Sequence, residues 1–446
     1  MQRIVADALN LAAMPDTALI SDPSSQMTLA FTLALVIGLM VKFWLVSRQI
    51  RHVAAHRGQV PGPFDQTISL VAHQKAADYT IAKARLGLLE LAFGAAVLLS
   101  WTLLGGLSML NQAMLQVFKG GMLQQLALLG AFVVINGVLD LPLSLYQTFV
   151  LEERFGFNKM HLRLWLIDLL KSSVIGTLIG LPLAALVLWM MATSGSAWWL
   201  WAWCVWMGFN LLLLVLYPTL IAPLFNKFTP LNDDALKARV TALMQRCGFA
   251  AKGLFVMDGS QRSAHANAYF TGFGAAKRVV FYDTLLSRLT PAEVDAVLAH
   301  ELGHFRHRHI LQRIVLMFAL SLLGFALLGW LSQQTWFYLG LGVQPNPVGP
   351  NDALAMLLFV LVMPVFSFFI SPVLAWFSRR HEFEADAYAA TRTSADDLSS
   401  ALLKLYEDNA ATLTPDPLYV SFYYSHPGAS ERLARLIKVR IEPQTA

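Results

Sequence analysis

The stretch TPAEVDAVLAHELGHFRHRHILQRIVLMFALSLLG, Thr290 to Gly324, decides the fold, because it joins two signals that rarely share a segment. It holds four histidines in ten residues, His300, His304, His307 and His309, and then runs without a break into apolar residues. It opens like a helix: Thr290 can cap, Pro291 suits the first turn and Glu293 completes a capping box. On that helix His300 and His304 stand at i and i+4, so both leave one face and can reach one ion. His-Glu-x-x-His predicts a zinc site, with two neutral imidazoles as ligands and Glu301 as the base that activates water. The plainer alternative is a polar helix face beneath a membrane span. His307 and His309, with Arg306 and Arg308, are expected to form a cationic collar at the membrane edge, with His309 pointing away from the ion.

Of the 446 residues, 56% are hydrophobic and 14% charged, against about 25% charged in soluble domains. This is a membrane protein's composition. The net charge of +5 fits basic cytoplasmic loops. No basic run is interleaved with stacking aromatics, which speaks against a nucleic-acid partner. Cys204 lies in an apolar run, Cys247 in a polar one, and neither forms Cys-x-x-Cys. They are expected to be small buried side chains rather than a disulfide or an all-cysteine metal centre.

Seven apolar segments have membrane-spanning length: Met27 to Val46, Leu86 to Leu110, Leu123 to Val150, Val174 to Met191, Trp198 to Ile221, Ile310 to Leu331 and Leu354 to Phe377. The turn ATSGSA makes a hairpin of the fourth and fifth. The first is not read as a cleaved signal peptide, because Asp7, Asp16 and Asp22 precede it and the basic run SRQIRHVAAHR follows. Lys and Arg crowd alternate connections. That places the amino terminus outside and both the 222–309 segment and the carboxyl tail inside. A bacterial inner membrane is favoured over the endoplasmic reticulum. Four parts follow: a membrane region at 1–221 with spans 1 to 5, a cytoplasmic part at 222–309, a membrane hairpin at 310–377 and a cytoplasmic part at 378–446 that completes the zinc site. The 222–309 part reads as a helix opened by Asn232 and acids, a strand in KGLFVMDGSQ, and a strand pair in ANAYFTGFG and KRVVFYDTLL. The tail reads as helices around the loop TLTPDP. Glu90, Asn136 and Asp140 lie near membrane depth and are expected to face the interior.

A catalytic zinc needs a third protein ligand and an open position. The tail offers SRRHEFEADAYAA, where Glu382 and Asp386 are i and i+4 while Glu384 points elsewhere. Glu382 as ligand, with Asp386 orienting one histidine, is the economical reading; a solvated acidic helix face is the alternative. The zinc reading requires Glu382 to lie beside His300 and His304 despite two intervening spans.

Blocks along the chain carry a resemblance: LEERFGFNKM at Leu151, IAPLFNKFTPL at Ile221, SAHANAYFTGF at Ser263, KRVVFYDTLL at Lys277, AHELGH at Ala299, SRRHEFEADAYA at Ser378 and SHPGASERL at Ser425. The chain resembles the integral-membrane zinc metalloproteases of the type I CAAX prenyl endopeptidase family. The resemblance implies a mainly α polytopic membrane protein. Its seven transmembrane helices would form an α-barrel around a water-filled chamber, with a zincin-like (α+β) metalloprotease domain on the cytoplasmic side. It implies one Zn2+ per chain, Glu382 as third ligand, and His426 near the zinc to stabilise the transition state. Arg432 would belong to the same polar cluster, and Asn267, Ala268 and Tyr269 to the edge strand that takes the substrate. Ala266 stands where the family usually has serine. The implied activity is hydrolysis near the carboxyl terminus of isoprenylated or similar peptides, with a peptide or protein, lipidated or not, and the bilayer as partners. A quality-control protease of the same zinc chemistry is the alternative. A non-catalytic transporter or receptor with a structural zinc is a third class, against which Glu301 argues, since a staple needs no base.

Overall fold

The computed structural model describes residues 22–249, 253–271 and 278–441. Asp7, Asp16 and the glycines between the expected strand pair lie outside the described residues. Asp22 caps the first span, accepting from the Ser25 amide at 3.2 Å, and Pro23 fills its first turn. That helix runs Pro23–His56. The helical stretches Gly121–Phe155, Leu162–Thr193, Gly195–Phe225, His309–Leu331 and Asp352–Arg392 are also long and apolar enough to cross a membrane. The expected hairpin of the fourth and fifth closes through the short turn Gly195–Ala197.

The second span departs from the expected single run to Leu110. It is a bent pair, Leu70–Trp101 and Gly106–Phe118, with 50° between the axes. Gly105 adopts φ +79°, and a Cβ on Gly106 would stand 2.5 Å from the Ser100 carbonyl oxygen. Two adjacent glycines thus let the chain leave one helix and start another where a side chain would clash. Counted as one span, the pair brings the total to seven. The cysteine expectation fails for Cys204, which is exposed, while Cys247 is half-buried. An apolar helix that faces lipid needs no protein cover over its outward residues. Among the membrane-depth polar groups, Asn136 accepts from Trp101 Nε1 at 3.1 Å. Glu90 is exposed and lines an open cavity of about 740 Å³ with Tyr79 and Lys83. Asp140 is exposed.

A four-stranded sheet follows the fifth span: β1 Phe228–Pro230, β2 Gly253–Met257, β3 Ala268–Thr271 and β4 Arg278–Tyr282. Its order is β1-β2-β4-β3. β2 and β4 run parallel, and among the described residues β3 pairs antiparallel with β4 alone, Tyr269 opposite Val280. The expected strand pair is therefore present, and β3 is an edge. The helix before β2 is Asp234–Arg246, capped by Asp233 rather than by Asn232. The tail folds as helices Ala395–Asp408, Pro417–Tyr423 and Ala429–Ile441.

One apolar core joins the sheet, the His-Glu-x-x-His helix Pro291–Arg306 and the tail, with Leu243, Phe281, Leu298, Leu302, Ala401 and Leu436 all buried in it. The 222–309 segment and the tail are thus one packed body. The Asp352–Arg392 stretch has 41 residues, about 60 Å of helix against about 30 Å of hydrocarbon. Its far end, Ser371–Arg392, therefore projects beyond the apolar run and brings Glu382 and Asp386 to the His-Glu-x-x-His helix.

Candidate active site

The capping box forms as the sequence predicts. The Thr290 amide donates to Glu293 Oε2 at 2.7 Å and the Glu293 amide to Thr290 Oγ1 at 3.4 Å. Glu293 also accepts from Ser400 Oγ at 2.6 Å and Lys404 Nζ at 2.8 Å, which ties the helix start to Ala395–Asp408. Further along, Gly303 lies against Ser371–Arg392, where a Cβ would stand 2.9 Å from Ala385 Cα. This close approach sets the spacing of the two helices that carry the site.

Across it, His300 Nε2 lies 3.4 Å from Glu382 Oε2, and His304 Nε2 lies 3.4 Å from Glu382 Oε1. Glu382 is 2% exposed, and its Oε2 is buried without a hydrogen-bond partner among the described residues. Ligands about 2.0–2.1 Å from a tetrahedral ion stand about 3.4 Å apart. The three side chains therefore fit a metal ion such as zinc: each imidazole nitrogen faces one oxygen of the Glu382 carboxylate at ligand separation, and one ligand atom from each residue lies within 4.8 Å of the others. Asp386 Oδ1 sits 2.8 Å from His300 Nδ1 and is held by Arg432 through two contacts of 2.5 and 2.8 Å. Burial opposes a charge on His300, but the Asp386 and Glu382 carboxylates outweigh it and raise its pKa to about 9. A field that favours a proton there favours any cation. Burial, with His300 beside it, pushes His304 down to about 3, which keeps it a neutral donor. Burial also raises the pKa of Glu301.

A cavity of about 330 Å³ opens on this cluster, and Asn267, Ala268, Glu301, His426 and Arg432 line it along with His300 and Glu382. His426 Nε2 is 3.5 Å from Glu382 Oε1. Its Nδ1 lies 2.9 Å from Ser425 Oγ. Asn267 and Ala268 reach the cavity from the β3 edge. Tyr269 does not line it; its ring packs against Tyr282, with centroids 6.2 Å apart. Ala266 is buried, with its amide held at 3.1 Å by Asn409 Oδ1, a cavity residue that the sequence reading passed over.

His309 corrects the sequence reading. It is 1% exposed, not part of an outward collar. The helix ends at Arg306, Arg308 takes φ +58°, and a new helix starts at His309. That kink swings the His309 ring back until its Nδ1 is 3.0 Å from His304 Nδ1. His307 and Arg308 remain exposed, as a collar requires.

Fold and site together define a polytopic membrane protein with a zincin-type centre at one end of its helices. Comparison with known proteins gives the family. Residues 49–227 match "CAAX prenyl protease N-terminal, five membrane helices" and residues 230–440 match "Peptidase family M48". A protein of Arabidopsis thaliana named "CAAX prenyl protease 1 homolog" is 36% identical over 312 residues, 70% of this chain and 73% of that one. "CAAX prenyl protease 1" of Saccharomyces cerevisiae is 37% identical over 326 residues, 70% and 72% of the two chains. The crystal structure of S. mikatae Ste24p matches with a TM-score of 0.85 and 31% identity, covering 92% of this chain and 98% of that one. The chain belongs to peptidase family M48, and it is a multi-pass membrane metallopeptidase.

Proposed function

We propose that the protein is a zinc endopeptidase, with one ion per chain, that cleaves near the carboxyl terminus of isoprenylated CAAX-type peptides. The cluster of His300, His304 and Glu382, with one ligand atom from each within 4.8 Å of the others, carries the reading. The relatives' names supply the substrate class. His300, His304 and Glu382 would hold the zinc. When bound, zinc supplies Lewis acidity that polarises a carbonyl and acidifies water. An extended substrate adds to the free edge of β3, against the backbone of Asn267 and Ala268. Glu301 takes the proton of the attacking water and returns it to the leaving amine. A raised pKa suits that exchange. The Ser425 Oγ–His426 Nδ1 contact of 2.9 Å suits either tautomer; in the one that accepts from Ser425, His426 carries its hydrogen on Nε2, where it serves the developing oxyanion. Asp386, clamped by Arg432, fixes the His300 ring. The larger cavity, which shares Tyr406, Asn409, Ala411 and His426 with the smaller one, gives room for the rest of the substrate.

In this reading the chain divides at 221, 309 and 377 with the second and fourth parts sharing one core, the amino terminus is outside, and the centre is cytoplasmic in a bacterial inner membrane. The test is cleavage by the purified protein in detergent of a farnesylated CAAX peptide and its unprenylated twin. Selective cleavage of the lipidated peptide, lost to a chelator and restored by zinc, is the expected result. Equal cleavage of both peptides would instead favour the quality-control reading, and no chelator-sensitive cleavage of either would overturn the zinc chemistry.

A further inference from the structure

The chemistry above leaves His309 without a task, yet its burial is nearly complete. A buried imidazole needs partners for both nitrogens, and both have one. Nδ1 faces His304 Nδ1 at 3.0 Å, and Nε2 lies 2.9 Å from Glu384 Oε2. Glu384 accepts in turn from Arg380 Nε at 3.0 Å. His381 stacks on the His309 ring at 4.0 Å and 10°, which fixes its plane.

Counting hydrogens gives this chain a direction. A carboxylate only accepts, and a neutral imidazole has a single N–H. The hydrogen of His309 therefore lies on Nε2, toward Glu384, and its Nδ1 is a lone pair. The contact with His304 then works only if His304 carries its own hydrogen on Nδ1. That leaves His304 Nε2, the atom 3.4 Å from Glu382 Oε1, as a bare lone pair aimed at the ligand triangle. The two histidines thus have different supports: His300 leans directly on Asp386, and His304 reaches its carboxylate through a second histidine.

We propose that Glu384 and His309 are positioning residues: they form a relay that locks His304 into the Nδ1–H tautomer and so sets the metal affinity of the centre. This rests on the zinc reading of the site. His307, His309 and Glu384 also bring ligand atoms within 4.8 Å of one another. In the relay the His309 Nε2 hydrogen occupies the position an ion would need there, so the account expects one ion per chain.

The test uses the full-length protein in detergent, stripped of metal and titrated with zinc against a chromophoric chelator. An Asn side chain places its amide near the position of His Nδ1, and Gln places it near Nε2. His309→Asn can therefore still accept from His304, whereas His309→Gln and His309→Phe cannot. The expected result is that Asn binds zinc within about threefold of wild type while Gln and Phe lose roughly 10–100-fold. Glu384→Ala should fall between them. A role in packing alone would instead treat the three His309 variants alike, and that outcome overturns the relay. So does wild-type affinity in Phe. If Phe fails to fold, judged by thermal unfolding, the Asn–Gln difference decides. A second ion in wild type that disappears in every His309 variant replaces the relay with a second metal site. A wild type that binds no zinc overturns the zinc reading and the relay together.

Discussion

At the scale of the residue, the centre divides into what sequence spacing can show and what one backbone angle hides. Arg308 is exposed and sits at φ +58°, a region that costs a residue with a Cβ about 1–2 kcal/mol. Without that turn His309 would leave the helix on the far side from the metal. Arg308→Gly should leave thermal stability and zinc affinity near wild type, because relief of strain offsets the added freedom of the unfolded chain. Arg308→Val should lower stability below wild type, because a β-branched residue tolerates that region least, and weaken zinc. If Val were as good as Gly, the kink would not be what holds His309. The grouping of His300, Glu301 and His304 was legible because helical spacing alone puts the two imidazoles on one face. Glu382 was legible because a lone i, i+4 acid pair followed the last span. His309 was not, since Arg is an unusual left-handed residue and nothing in HFRHRH announces the break.

At the scale of the element, two helices crossing at Gly303 hold the ligands together. Gly303→Ala gains about 1 kcal/mol in helix propensity. It also drives a methyl into the Ala385 backbone, an overpacking that costs about 1–3 kcal/mol. Sterics should win: the melting temperature falls, and zinc weakens as Glu382 is displaced. Unchanged zinc affinity would mean that the crossing does not set the ligand spacing. The helix start makes a pH prediction. Burial pushes the Glu293 carboxyl up, but Lys404, Ser400 and the Thr290 amide outweigh it and hold its pKa at about 2. A folded pKa below the unfolded one, about 4.5, adds stability that is complete above about pH 4.5 and is lost as pH falls toward 2. Acid unfolding followed by circular dichroism should therefore steepen across that window, and Glu293→Gln should flatten it. Both the capping box and the strand pair were legible from local chemistry. The break at Gly105 and Gly106 was not, because hydropathy averages over a bend, and β1 is too short to show alternation.

At the scale of the whole molecule, two spans separate the metal motif from its third carboxylate in sequence while a shared core returns the tail to the sheet. Alternating Lys and Arg predict which face this is. Cys247 lies in that body, so in a Cys204→Ser background, which removes the exposed second thiol, a membrane-impermeant maleimide should reach it only once the cytoplasmic face is opened; labelling of that variant from outside would invert the topology. Seven spans were countable because each must be apolar for about 20 residues. How they pack was not, since lipid and protein ask for the same side chains. The central claim is that His300, His304 and Glu382 hold one zinc and that Glu301 does the chemistry beside it. The most direct measurement is zinc content together with peptide cleavage in wild type, Glu382→Ala and Glu301→Gln. The account predicts one zinc and full turnover in wild type, and loss of both in Glu382→Ala. Glu301→Gln should keep its zinc with turnover down about 10²–10⁴-fold. Stoichiometric zinc and undiminished cleavage in Glu382→Ala would contradict it.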